Sequence, residues 1–428
     1  MRNLRFWRLL CLAFVMSGCG VFAIGGELVK SDKPRDTSPD VASSDLNTLV
    51  TGNTDFAFDL YHALREDRTD ENLFFSPYSI SVALAMTYAG ARGGTEREMA
   101  DTLHFTLPQE TLHPAFNALD LDLASRGEGA EGRRGEPFRL HIVNALWGQT
   151  GYSFLPDFLD LLAEVYDAGM RLVDFVHNPE GSRSTINKWV SRETEKKIEE
   201  LIPRDLITPD VRLVLTNAIY FDAAWESKFK KEATRAGKFT LLDGREVTGD
   251  MMRQFERFGY AEGEGYQAVE LPYDGRELSL VVLLPAEGGF TEFEHSLSGE
   301  RVDAILKGID SREVRLTMPR FAYESALRLK EALSGMGMTD AFVLGLADLS
   351  GMDGTRDLFI LDVVHKALVR VDEEGTEAAA ATAVMVAGSE APFDELIELT
   401  IDRPFIFLIR DINTGAILFL GRVLDPTA

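Results

Sequence analysis

The nine residues Leu213–Phe221, LVLTNAIYF, are apolar almost without a break and rich in β-branched and aromatic side chains. Such a run is expected for a strand covered on both faces, since a strand with one face in water would alternate. Asn217 is its one misfit. A buried amide needs partners for both its donors and its acceptor, so other polar side chains must reach the middle of the sheet. Further strands are expected at Phe138–Trp147, Val314–Phe321, Phe405–Arg410 and Ala416–Val423, and at Leu358–Val371, which carries His365. Glu270–Pro285 reads as a hairpin turning at Asp274-Gly275.

Helical spacing sets in from Asn53 or Thr54, with Phe56, Phe58, Leu60, Tyr61 and Leu64 along a stripe. Ser76 and Pro77 open a helix whose part from Ile80 to Tyr88 is apolar nearly all round and so must lie inside the protein. Its serines, Ser76, Ser79 and Ser81, then need partners, because a buried unpaired hydroxyl costs about 1–3 kcal/mol. More helices are expected at Thr95–Leu103, Pro156–Val165, Asn187–Ile202 and Leu327–Met336. No internal repeat and no linker-like break follows Asn53, so the chain reads as one large mixed α+β domain with long, mostly antiparallel sheets.

The formal charge of −25 argues against nucleic acid as a partner. Both cysteines, Cys11 and Cys19, fall in the first twenty residues, which leaves the folded part without a disulfide, a thiol nucleophile or a cysteine metal site. Arg2, Arg5 and Arg8 precede an apolar run, Leu9–Met16, that is too short to span a bilayer and marks a secretory signal. Met16-Ser17-Gly18-Cys19 resembles a bacterial lipobox. Residues 1–18 are therefore expected to be a lipoprotein-type signal peptide, with Cys19 carrying lipid. The polar segment Lys30–Asn47, with Pro34 and Pro39, makes residues 19–47 a flexible tether ahead of a domain over 48–428. The chain is expected to be exported, and lipid-anchored to the cell envelope or extracellular.

No catalytic constellation is present. The seven histidines show no metal-ligand spacing, and no nucleophile elbow, P-loop or dinucleotide fingerprint occurs, so neither a metal nor a cofactor is expected. One stretch resists assignment. Glu373–Ala387, EEGTEAAAATAVMVA, joins helix-favouring alanines to Gly375, Thr376, Thr382, Val384 and Val386, which oppose helix. Read as a strand it would put Thr376, Ala378, Ala380 and Thr382 on one face, with little bulk on either side.

The segments NLFFSPYSISVALAMTYAGARGGT, LVLTNAIYFDAAWESKF, ELPYDGRELSLVVLLP, LTMPRF, VVHKALVRVDEEGTEAAAATA, RPFIFLIRD and ILFLGRVLDP together resemble the serpin family, in family order from about Asn47 to Pro426. The resemblance implies three mostly antiparallel β-sheets, eight or nine helices and an exposed reactive loop. It makes Glu373, Glu374, Gly375, Thr376, Glu377, Ala378, Ala379, Ala380, Ala381 and Thr382 the hinge of that loop. The small residues there, and the lack of proline between Glu373 and Ala391, imply an inhibitory hinge that can join a central sheet. Ser76, Ser79, Asn217 and His365 would form a polar cluster beneath the sheet, with Trp225 and Asn217 at the upper end where insertion begins.

The family register implied by the resemblance, seventeen residues counted from Glu373, puts the cleaved bond between Ser389 and Glu390, with Met385, Ala387 and Gly388 as alternatives. The implied activity is irreversible suicide-substrate inhibition, by a monomer, of a serine protease of elastase-like or subtilisin-like preference. Inhibition of a papain-like cysteine protease, or a non-inhibitory binding or chaperone role, are the other readings.

Overall fold

A computed structural model of the 428-residue chain describes residues 25–127, 130, 139–376 and 396–428. The apolar run becomes the middle of a twelve-residue strand, Leu213–Ala224, here called the central strand. It lies in a seven-stranded sheet whose order is Glu27–Val29, Met170–Val173, Arg139–Gln149, central strand, Gly375–Thr376, Ile360–Val371 and Phe321–Arg328. Ile360–Val371 is called the hinge strand below.

The second sheet holds nine strands by hydrogen bonding. Its eighteen-residue strand Glu246–Gly263 pairs with Arg235–Thr240 and Asp310–Pro319 and then with Tyr266–Pro272, so layers expected as two sheets share one strand. Ten α-helices and two 3-10 helices occur among the described residues, the excess over eight or nine coming from short turns such as Ser350–Asp353. The helix Pro77–Tyr88 is buried as expected. It touches both the central strand and Ile417–Val423 of the second sheet.

Three boundaries differ from expectation. The first long helix begins at Ser43 rather than Asn53, because Leu49 and Val50 already face the core. The helix expected over 187–202 spans Pro179–Glu193. Glu195 and Lys196 then take positive φ, and Asn187 Oδ1 accepts from the amides of Leu201 and Ile202 at 3.0 and 2.8 Å. Ile198, Leu201 and Ile202 are still buried, but from a folded-back turn, which is why their spacing imitates a longer helix. The helix expected over 327–336 is shortened to Lys330–Gly335, since Leu327 and Arg328 complete a strand.

The larger correction concerns the segment expected as a flexible tether over 19–47. Glu27–Val29 forms the sheet's edge strand, antiparallel to Met170–Val173. Beyond it Lys30 pairs with Asp167, Lys33 with Asp160 and Glu164, and Arg35 with Asp120 and Asn117. Polarity misleads here because backbone pairing and charged contacts hold the segment, with only Val29, Val41 and Leu46, among its described residues, adding apolar packing against the core.

The row Glu27, Leu172, Gly148, Leu213 and Ile360 crosses five strands at the lower end of the first sheet. At the upper end, Pro426 and Thr427 line a surface hollow together with Arg320 and Asp372. No helix among the described residues is long and apolar enough to cross a membrane.

Candidate functional site

The central and hinge strands run in the same direction and pair directly from Leu213–Ile360 up to Ile219–Ala367. Above that point they part, and Gly375–Thr376 lies between them. Gly375 faces Ala224, while Thr376 faces Ala223 on one side and Val371 on the other. The chain thus leaves the top of the hinge strand, turns through Asp372–Glu374 and comes back antiparallel to both neighbours.

Backbone groups fix this turn. The Glu374 amide donates to Asp372 Oδ1 at 2.9 Å and the Asp372 amide to the Gly375 carbonyl at 3.0 Å. From outside, the amides of Trp225 and Phe229 donate to the carbonyls of Glu374 and Glu373, both at 2.9 Å, and the Trp225 indole N–H donates to the Asp372 carbonyl at 2.8 Å. Only glycine fits at 375, because a Cβ there would lie 2.1 Å from the Ala223 carbonyl oxygen.

Glu373 and Glu374 are both buried, and a buried carboxylate must be paired. Glu374 meets Lys231 at 2.9 Å and Lys228 at 3.8 Å. Glu373 accepts from the Thr234 hydroxyl at 2.6 Å and lies 3.6 Å from Arg320. Thr376 points inward, its hydroxyl 2.7 Å from that of Tyr273. Tyr273 in turn stacks on Trp225 with ring centroids 4.8 Å apart.

Midway down the seam a second cluster joins three strands. Asn144, Asn217 and His365 sit opposite one another in one row of pairs. The Ser76 amide donates to His365 Nε2 at 3.2 Å, which fixes the proton on Nδ1, and Nδ1–H donates to Asn217 Oδ1. The Asn217 amide donates to Ser79 Oγ and to Asn144 Oδ1, and Asn144 returns a bond to the Ser79 carbonyl at 3.3 Å. Ser76 Oγ caps its helix by accepting from the Ser79 amide at 3.2 Å.

Burial lowers the His365 pKa from 6.5 to about 3. Protonation would also place a second donor on Nε2, against the Ser76 N–H, so the geometry opposes the charge independently.

Ser76, Ser79, Asn217 and His365 are therefore brought together. Asn217, however, lies in the middle of the sheet and not at its upper end, where Trp225 stands. Glu373, Glu374, Gly375 and Thr376 occupy the turn and the top of the seam. Glu377, Ala378, Ala379, Ala380, Ala381 and Thr382, the Ser389–Glu390 bond and Cys19 lie outside the described residues. Asn144, Tyr273, Lys231 and Arg320 were not anticipated. Asn144 carried the signal that exposed Asn217, an amide inside an apolar strand.

Among known proteins, the family model described as Serpin (serine protease inhibitor) matches residues 51–426. The human leukocyte elastase inhibitor is 41% identical over 390 residues, covering 89% of this chain and all of that protein. An uncharacterized serpin-like protein of Thermococcus kodakarensis is 39% identical over 424 residues, covering 94% of this chain and 96% of its own. Among solved structures, the thermophilic serpin tengpin in its native state superposes with a TM-score of 0.80 at 29% identity, over 93% of this chain and 97% of that one.

Proposed function

The chain belongs to the serpin family, and from that premise we propose that it inhibits serine proteases as a suicide substrate. Protease inhibition, not catalysis of its own, is the activity that goes with the family and with relatives named as inhibitors. The observation that carries the finer reading is the seating of Gly375 and Thr376 between Ala223–Ala224 and Val371. The first two residues of a new strand already lie in the seam, and the strands below them are joined to each other by one parallel ladder.

In the proposed reaction the protease serine oxygen attacks the carbonyl carbon of Ser389. The Ser389–Glu390 peptide bond breaks, the Glu390 nitrogen leaves with a proton, and an acyl-enzyme remains. The freed strand then follows Gly375 and Thr376 down the seam, replacing the parallel ladder with two antiparallel ones. About fourteen residues, Thr376 to Ser389, at ~3.3 Å each reach roughly 45 Å. That would carry the acylated enzyme past the whole length of the central strand. The small side chains of Ala378, Ala380 and Thr382 suit the inward positions. The cluster around Asn217 and His365 is the lock that must part.

The small residue at 389 and the similarity to the leukocyte elastase inhibitor both favour a protease of elastase-like or subtilisin-like preference. Incubation with elastase and subtilisin, followed by denaturing electrophoresis, tests this. A complex that survives detergent and heat is expected; a cleaved chain with no complex would refute it.

Export and lipid attachment at Cys19 are part of the same proposal, supported by Arg2, Arg5, Arg8, the run Leu9–Met16 and the lipobox-like residues 16–19. Mass spectrometry of the mature N-terminus should find an acylated cysteine. A Cys19→Ser chain that stays with the membrane fraction would remove the anchor from the proposal.

A further inference from the structure

Val343, Leu344 and Leu346 are 43, 66 and 59% exposed, on one turn between the helices Lys330–Gly335 and Ser350–Asp353. Large apolar side chains gathered in one exposed patch call for a partner. The turn is rigidly presented. The amides of Leu346 and Ala347 donate to the Val343 carbonyl at 3.1 and 3.0 Å, and Gly345 supplies the positive φ. On its flanks the amides of Thr339 and Asp340 donate to Glu98, and that of Asp348 to Thr95. Leu155, 38% exposed, belongs to the same surface, its amide donating to the Met352 carbonyl at 2.7 Å.

This patch lies toward the lower end of the first sheet: Phe154, next to Leu155, packs against Gly148 of the lowest row, and the short helix Asp340–Phe342 before Val343 touches the hinge strand. The N-terminal segment joins the fold at the same end, where Glu27 stands in one row with Ile360. Four strand spacings of ~4.8 Å put these two points about 19 Å apart. Only five residues, Gly20–Ile24, separate Cys19 from Gly25, the first described residue to contact the domain, whose carbonyl accepts from Arg171; that is a reach of at most ~20 Å.

We propose that the lower end of the domain, led by Val343, Leu344, Leu346 and Leu155, seats in the interface of a lipid bilayer and points the hinge away from it. This rests on the lipid attachment at Cys19 proposed above. A tether so short cannot let the domain float free, and the surface it draws down is the one with the exposed apolar turn. Nearby charges fit an uncharged headgroup layer. Asp340, Asp353 and Asp357 flank the turn, and Arg356 is already paired with Asp348 at 2.6 Å.

The test uses the full-length acylated chain, reconstituted in phosphatidylcholine vesicles with brominated acyl chains, which quench tryptophan only at bilayer depth. Leu344→Trp places a probe on the turn. Phe255→Trp, at a 55% exposed site whose neighbour Gln254 donates to the Ser227 carbonyl near Trp225, places one at the hinge end. After subtraction of the parent protein's emission, quenching is expected at 344 and none at 255. Equal quenching at both sites, or none at 344 on vesicle-bound protein, would overturn the seating and leave the anchor intact. Absence of an acyl group on the mature chain would instead overturn the anchor. A dimer of the unacylated Cys19→Ser chain in light scattering, dispersed by Leu344→Ser, would assign the patch to a second copy.

Discussion

The hydroxyls of Thr376 and Tyr273 meet at 2.7 Å with both side chains buried, at the point where the returning chain first slips between two strands. This contact lets a polar residue face inward there, and it sets how much disturbance the position tolerates. Replacing Thr376 by arginine would put an unpaired charge against the Trp225–Tyr273 stack, and an uncompensated buried charge costs about 3–5 kcal/mol. The expected outcome is a switch from inhibitor to substrate. Denaturing gels should show the cleaved chain replacing the protease complex; complexes formed at wild-type yield would contradict hinge insertion.

Gly375→Ala tests the same place through the backbone. The added methyl would sit 2.1 Å from the Ala223 carbonyl oxygen, too close for backbone to accommodate. Residues 375 and 376 should leave the sheet, so that the amides around Ala223–Trp225 exchange faster in hydrogen–deuterium exchange. Unchanged protection there would mean that the seam holds without them.

Acid should loosen the lock in a defined window. The His365 pKa is lowered to about 3 in the folded chain against 6.5 when unfolded. Its contribution is fully present above pH 6.5 and is lost as pH falls toward 3, by about 1.4 kcal/mol per pH unit in that interval. His113, lowered to about 4 by burial, adds a parallel loss. His365→Gln should therefore have a lower urea midpoint at pH 7 but a flatter decline between pH 6.5 and 4 than the wild type. Identical slopes would remove His365 as the titrating group.

Asn144→Ala leaves the Asn217 amide without one of its two acceptors beneath the sheet and removes the side-chain donor that reaches the Ser79 carbonyl. A lone buried polar group costs about 1–3 kcal/mol, and the urea midpoint should fall accordingly. A variant as stable as wild type would show that water replaces the amide there.

How far the sequence reached can be judged residue by residue. Asn217 and His365 were conspicuous because an amide and an imidazole stood in runs that otherwise exclude polar groups, and Ser76-Pro77 announced its helix by capping chemistry. The same test applied to Arg139–Gln149 would have singled out Asn144. The partners of Glu373 and Glu374 were not legible, since Lys231 and Arg320 come from distant elements and look like ordinary surface charges. The edge strand Glu27–Val29 is illegible for a related reason, because a three-residue Glu-Leu-Val segment is too short to show a strand pattern and becomes a strand only when another edge is offered to it. Tyr273 stands in a stretch whose pattern is that of a hairpin, and its contact with Thr376 exists only once the chain has turned back.

The placement of Pro426 and Thr427 beside Arg320 and Asp372 bears on how this protein can be handled. An affinity tag or fluorescent partner fused after Ala428 would emerge at the hinge end, where the proposed reaction brings the protease. Capture on a sensor chip through that tag would turn the hinge toward the support and hide it from the enzyme. Attachment near residue 25, at the far end of the sheet, would leave the hinge facing solution.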